Sequence, residues 1–195
     1  MTAGLLLAAG SGRRMGAPKA LVHDTDGTSW LQRAVRVLTD GGCASVYVVL
    51  GAAADQARLL LDGLDVQVVV ADDWDDGMSA SLRAGLTAIK GTAITGEEAA
   101  LVTLVDLPDV SAAVVARVLD AGSGPAVLAR ASYDGRPGHP VLIGRDHWSR
   151  IIGIASGDAG ARDYLATRDV TLVACGDLAT GQDVDRPTSG QRPRT

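Results

Sequence analysis

The chain has 195 residues, 47% of them hydrophobic but only 3% aromatic, with no phenylalanine, and it carries a net charge of −5. That length suits one domain whose core is built from Ala, Val and Leu, and the acidic balance excludes a broad basic field for DNA or RNA, so any anion site must be local. Cys43 and Cys175 lack a C-x-x-C spacing, which excludes a zinc knuckle or disulfide framework and leaves both as small core residues.

The first expected element is an apolar strand over residues 4–9. It is too short for a signal peptide with its cleavage site, and no run approaches the ~18 residues of a membrane helix, so a cytoplasmic protein without membrane contact is expected. The strand runs into Gly10-Ser11-Gly12-Arg13-Arg14-Met15-Gly16-Ala17-Pro18-Lys19. A Walker A loop is excluded, because Gly10 and Gly12 each have a non-glycine five positions on and Lys19 is followed by Ala20. A dinucleotide fingerprint fails as well, since Met15 stands where its third glycine belongs. What remains is a flexible backbone with fixed positive charge in one short segment, a combination suited to a polyphosphate.

Beyond it, apolar residues at helical spacing (Trp30, Leu31, Ala34, Val35, Leu38) predict a helix capped by Thr28 or Ser29, followed by strands at 45–50 and 65–71. Leu82, Leu86 and Ile89 predict a second helix with Ser79 as its cap. A surface loop is expected at 92–98 and a strand at 100–105. Val114, Val115, Val118 and Leu119 predict a helix capped by Ser111, and strands follow at 126–131, 140–143 and 170–174. This alternation predicts an α/β fold: one mostly parallel sheet, its strands buried on two faces, with helices on both. Residues 1–186 form one domain on this reading, and 187–195, rich in Pro, Gly and Arg, form a disordered tail.

In such sheets ligands bind beyond the carboxyl ends of the strands. The segments there are the glycine loop, Asp72-Asp73-Trp74-Asp75-Asp76-Gly77-Met78-Ser79, Asp106-Leu107-Pro108, and Asp183-Val184-Asp185. Hard carboxylate oxygens at a strand end facing a triphosphate are the expected partners of magnesium, a role open to Asp106; a strand-ending turn is its structural alternative.

The opening motif L-A-A-G-S-G-R-R-M-G-A-P-K resembles the signature of the MobA-like nucleotidyltransferases. DDWDDGMSASLRAGL, LVDLPDV, GRPGHPVLI, GDAGARDYL and DVDRP resemble the molybdenum cofactor cytidylyltransferase branch of that family. The resemblance implies a Rossmann-like nucleotidyltransferase fold and magnesium-dependent transfer of CMP from CTP to the phosphate of molybdopterin. It also implies transient contact with a recipient molybdenum hydroxylase. For the nucleotide it implicates Leu7, Ala8, Ala9, Gly10, Ser11 and Gly12 with Arg13 and Lys19, then Asp72 and Ser79, with Asp73 an alternative to Asp72 near the base or ribose. Arg13, Lys19 and Asp106 are the expected catalytic residues, and Asp106 the expected metal ligand with Asp183 or Asp185, the other of these holding a second ion. Met78, Ser81 and His139 are expected at the acceptor, and Asp158 and Arg162 as a local pair. Within the resemblance Ala9 marks the cytidylyl form of the loop, where guanylyltransferases carry glycine. GTP, a different phosphorylated acceptor, or a non-catalytic cofactor carrier are the alternatives.

Overall fold

The computed structural model describes residues 1–92 and 96–186. Seven strands, β1 (Thr2–Leu7), β2 (Ser45–Leu50), β3 (Gln67–Val70), β4 (Ala99–Leu104), β5 (Leu128–Tyr133), β6 (Arg136–Gly144) and β7 (Thr171–Ala174), form one sheet in the order β3-β2-β1-β4-β6-β5-β7. All neighbours are parallel except those of β6, which runs antiparallel to both β4 and β5. The reversal comes from Asp134-Gly135, whose φ values of 51° and 76° make the two-residue hairpin turn that an Asp-Gly pair favours. A strand expected only from residue 140 therefore begins at Arg136.

Helices α1 (Trp30–Asp40), α2 (Ala54–Leu59) and α4 (Ala112–Asp120) cover one face, and α3 (Met78–Gly91), α5 (Arg145–Ile154) and α6 (Arg162–Leu165) the other. β1 shows the period of two that separates these layers: Leu6 packs under α1 and α4, whereas Leu5 and Leu7 face α3. With no phenylalanine to fill space, the layers approach closely. A Cβ at Gly85 would lie 2.5 Å from Leu5 Cδ1, so glycine here lets α3 rest on β1. Leu86 and Ile89 are fully buried on that helix, and truncating Leu86 to Ala would cost about 2–5 kcal/mol.

Both cysteines are buried free thiols, and burial pushes the Cys43 pKa up to about 12. The edge strands differ from expectation: Val70 on β3 is 41% exposed and Leu172 on β7 is 50% exposed, so these strands are not sandwiched on both faces. Ser29 caps α1, its hydroxyl accepting from Gln32 N at 3.4 Å, and Ser111 precedes α4 without a side-chain cap bond. Ser79 is not a cap, because α3 starts at Met78 and Gly77 holds the capping position. Within the expected surface loop at 92–98, Glu97 is buried and accepts from the Ser45 hydroxyl; residues 93–95 lie outside the described residues, as does the 187–195 tail. Among the described residues no helix is long and apolar enough to cross a membrane.

Candidate active site

The carboxyl ends of β1 and β4 are neighbours in the sheet, so the segments leaving them share one cleft of about 650 Å³. The loop after β1 is tied down at its root, where Ala8 N donates to Val49 O at 2.9 Å and Ala9 O accepts from Ala52 N at 3.0 Å. It then folds back on itself at Gly12. That residue has φ of +60°, and a Cβ there would sit 1.9 Å from Ala17 O, so both the backbone angle and the space demand glycine. The tight return brings Lys19, at the start of a short 3-10 turn, back over the end of β4.

There the Lys19 ammonium meets Asp106 Oδ2 at 2.5 Å and Asp185 Oδ1 at 2.7 Å. Asp185 is far away in sequence and is brought in by the main chain, since Val184 N donates to Asp106 O at 3.0 Å. A second clamp lies just upstream, where Thr180 donates through both its N–H and its hydroxyl to Asp109 Oδ2 at 2.6 Å. Arg14 Nη1 donates to the other Asp185 oxygen at 2.8 Å. Burial alone would lower the Lys19 pKa, but the bonds from Asp106 and Asp185 and their negative charge outweigh it and raise it. Lys19 in turn holds the Asp185 carboxyl below the usual range.

One carboxylate oxygen from each of Asp106, Asp183 and Asp185 lies within 4.8 Å of the others. Asp106 Oδ1 is buried and has no hydrogen-bond partner, an expensive state for a carboxylate oxygen. An all-carboxylate donor set with an orphaned buried oxygen fits a small hard cation of the magnesium or manganese type.

Residues 4–172 match the MobA-like NTP transferase domain. The chain belongs to the MobA-like NTP transferase family. It is 36% identical over 192 residues to nicotine blue oxidoreductase of Paenarthrobacter nicotinovorans, covering 93% of this chain and 91% of that protein. Among solved structures it is similar to the Rv0371c homologue from Mycobacterium sp. strain JC1, at TM-score 0.80 and 27% identity over 95% of this chain and 90% of that one. It is also similar to Rv0371c of Mycobacterium tuberculosis H37Rv in complex with manganese, at TM-score 0.72 and 27% identity over 89% and 87% of the two chains.

In this MobA-like chain the cleft gathers most of the residues singled out in the sequence. Leu7, Ala8, Ala9, Gly10, Ser11, Gly12, Arg13, Lys19, Met78, Ser81, Asp106, Asp183 and Asp185 all line it. Arg13 is largely exposed and pairs with Asp75 at 2.8 Å, so it stands at the rim. Asp72 and Asp73 do not line the cleft, and Asp73 is held by Arg83 at 2.8 Å. Ser79 is fully buried and its hydroxyl accepts from Gly160 N at 3.0 Å, which fastens α3 to the 157–160 turn and keeps the side chain out of the cleft. His139 lines a second, adjoining cavity. The expected Asp158–Arg162 pair is absent: Asp158 Oδ1 accepts from Met78 N at 3.3 Å, and Arg162 faces Asp163 at 3.7 Å.

Sequence reasoning gave too little weight to Arg14 and did not single out Trp74. Arg14, largely exposed, reaches Asp185 from the rim, a contact set by loop geometry that spacing alone does not carry. Trp74 lines the cleft and packs over Gly51, where a Cβ would lie 2.6 Å from Trp74 Cβ. Its signal was available: a lone aromatic, in a chain with few, standing at the carboxyl end of a strand.

Proposed function

We propose that this MobA-like protein transfers CMP from CTP to the phosphate of molybdopterin, releasing pyrophosphate, with magnesium as the divalent cation. In that reaction an ionised phosphate oxygen of the acceptor forms a bond to the α-phosphorus as the bond to the pyrophosphate oxygen breaks, so no proton has to be removed. The cleft is compatible with this demand, since among the described residues no histidine or cysteine lines it. Catalysis then reduces to alignment and charge neutralisation.

The convergence of the Gly12 loop, Lys19 and three carboxylates at one point carries the proposal. Lys19 and Arg13 neutralise the triphosphate, and the loop backbone approaches it closely. Asp106, Asp183 and Asp185 would hold the cation, which supplies Lewis-acid polarisation of phosphoryl oxygens when bound. Lys19 also keeps two of these acids from repelling one another. Ala9 lines the cleft, and a methyl at the loop entrance favours a pyrimidine over a purine. Met78 and Ser81, which line the same cleft, face the acceptor, and the product passes to a molybdenum hydroxylase.

The test is cation-dependent pyrophosphate release with molybdenum-loaded molybdopterin, comparing CTP, GTP, ATP and UTP. Release with CTP alone supports the reading; no release with any nucleotide from folded protein overturns it. The name of the 36%-identical Paenarthrobacter relative favours a second reading, in which the cleft holds a reducing nucleotide cofactor and the protein reduces an organic pigment. That reading predicts consumption of NADH or NADPH with a quinonoid dye and no pyrophosphate release.

A further inference from the structure

Past Met78 the cleft opens into a second cavity of about 560 Å³, large enough for a body of two or three rings, and the two share Leu7, Met78 and Asp158. Its walls are aliphatic: Leu82 from α3, Val102 from β4, Val141 and Ile143 from β6, and Leu165 from α6. Arg130 of β5 and His139 of β6 are polar side chains set among them, and the exposed Asp158 and Arg162 stand at the mouth.

Arg130 is half-buried, and its Nε and Nη2 donate to Gly138 O at 3.2 and 3.1 Å. Its Nη1 has no hydrogen-bond partner and the guanidinium makes no salt bridge among the described residues. His139 is held from behind, where the Tyr133 hydroxyl donates to His139 O at 2.6 Å. Burial and the adjacent Arg130 charge push the His139 pKa down to about 4, so the ring is neutral at pH 7. Asp158 and Arg162 also line the cavity but are exposed, at its mouth, so Arg130 is the charge set among the aliphatic walls, and among the described residues it makes no salt bridge.

A cation without a counter-ion against apolar walls is unfavourable until an anion joins it. The same surroundings reject other ligand classes. A polyol would exchange its water mostly for aliphatic carbon, with Arg130 and His139 alone to meet its hydroxyls away from the mouth. A quaternary ammonium would meet like charge and find no tryptophan or tyrosine in the lining.

We infer that this cavity takes a flat, ring-sized body of the acceptor, its faces against the aliphatic walls, and that Arg130 recognises one anionic group on it, separate from the phosphate that receives the nucleotide. The word acceptor rests on the nucleotidyl-transfer reading; the binding chemistry does not. Arg130 is thus a specificity-determining residue.

The probe is anilinonaphthalene sulfonate, compared with uncharged anilinonaphthalene, by fluorescence titration of the whole chain; magnesium and CTP are titrated calorimetrically into the same preparations. Wild type is expected to bind the sulfonate about tenfold or more tightly than the uncharged dye. Arg130→Met, which keeps the apolar stem, is expected to erase that preference. Leu172→Asp, at the half-exposed rim, is expected to weaken the sulfonate alone and serves if Arg130→Met does not fold. Equal binding of both dyes by wild type overturns the inference, as does a preference that survives in the folded Arg130→Met or Leu172→Asp protein. If the dye preference is absent while CTP binds with magnesium, this inference alone fails. If the preference holds and CTP does not bind, the nucleotidyl-transfer reading fails and the anion-binding cavity stands.

Discussion

The cleft and the cavity meet at Leu7, Met78 and Asp158 but are built on opposite electrostatic plans. In the cleft, charge is dense and mutually compensated: one ammonium bridges two carboxylates, and an arginine closes the second of these from outside. In the cavity, Arg130 stands against aliphatic walls with the Gly138 carbonyl to receive it, while Asp158 and Arg162 stay at the exposed mouth. The cleft is therefore organised before any ligand arrives, whereas the cavity leaves its charge for the ligand to complete. The difference follows from topology. The cleft lies where parallel strands end together and their loops crowd charge at one point. The cavity lies over the antiparallel β5–β6 pair, whose hairpin presents side chains of the strands themselves.

Breaking the cleft should have the largest effect. Asp106→Asn removes a carboxylate from the cluster while keeping its shape, and turnover is expected to fall by at least about 10²–10³, with an unchanged circular dichroism spectrum. Normal turnover by this variant would remove the mechanism. Gly12→Ala is next: the methyl must displace Ala17 O and adopt a left-handed angle, a strain of about 1–3 kcal/mol. The loop then no longer returns Lys19 to Asp106, and CTP affinity measured by calorimetry is expected to drop about tenfold, with dye binding in the cavity unaffected. Ser79→Ala acts on the join between the two regions. It strips a buried N–H of Gly160 of its partner, a cost of about 1–3 kcal/mol. A lower denaturation midpoint and a raised acceptor KM, with the KM for CTP nearly constant, would locate the effect on the cavity side.

The two regions also differ in how far the chain's letters disclose them. The glycine loop and Asp106 are legible because each stands directly after an apolar run, and parallel strands bring such positions to one edge; Lys19 is legible as the cation that closes the loop. The Asp183-x-Asp185 segment is legible only through resemblance, since its placement depends on one bond from Val184 N to Asp106 O and on the Thr180–Asp109 clamp. The cavity is harder to read. Arg130 sits inside an apolar strand where a charge looks like a solvated edge position, and the Asp134-Gly135 pair that makes β5 and β6 a hairpin departs from the βα alternation of the rest. Ser79 misled for a related reason: a serine near a helix start has the chemistry of a cap, yet the left-handed Gly77 moves the start by enough to bury that hydroxyl against Gly160.

The smallest effect, and the sharpest for separating the regions, is their response to acid. His139 has a folded pKa of about 4 against an ordinary 6.5, because burial and Arg130 disfavour its charged form. A depressed histidine contributes stability that is present above the unfolded value and is lost as pH falls through the folded one, since the unfolded chain takes up the proton first. The cavity should therefore weaken the fold between about pH 6.5 and 4, by about 1–3 kcal/mol in all. Asp185 has the same sign but another window: its carboxyl, held down by Lys19, keeps its contribution until pH falls below the ordinary value near 3.8. Thermal melts across this range should show wild type losing stability already between pH 6.5 and 4 and His139→Gln holding a flatter line there, while Asp185→Asn should follow wild type until the lower window. A His139→Gln profile that parallels wild type would mean that the ring is solvated and charged near neutrality, and the cavity would then be as wet as the cleft.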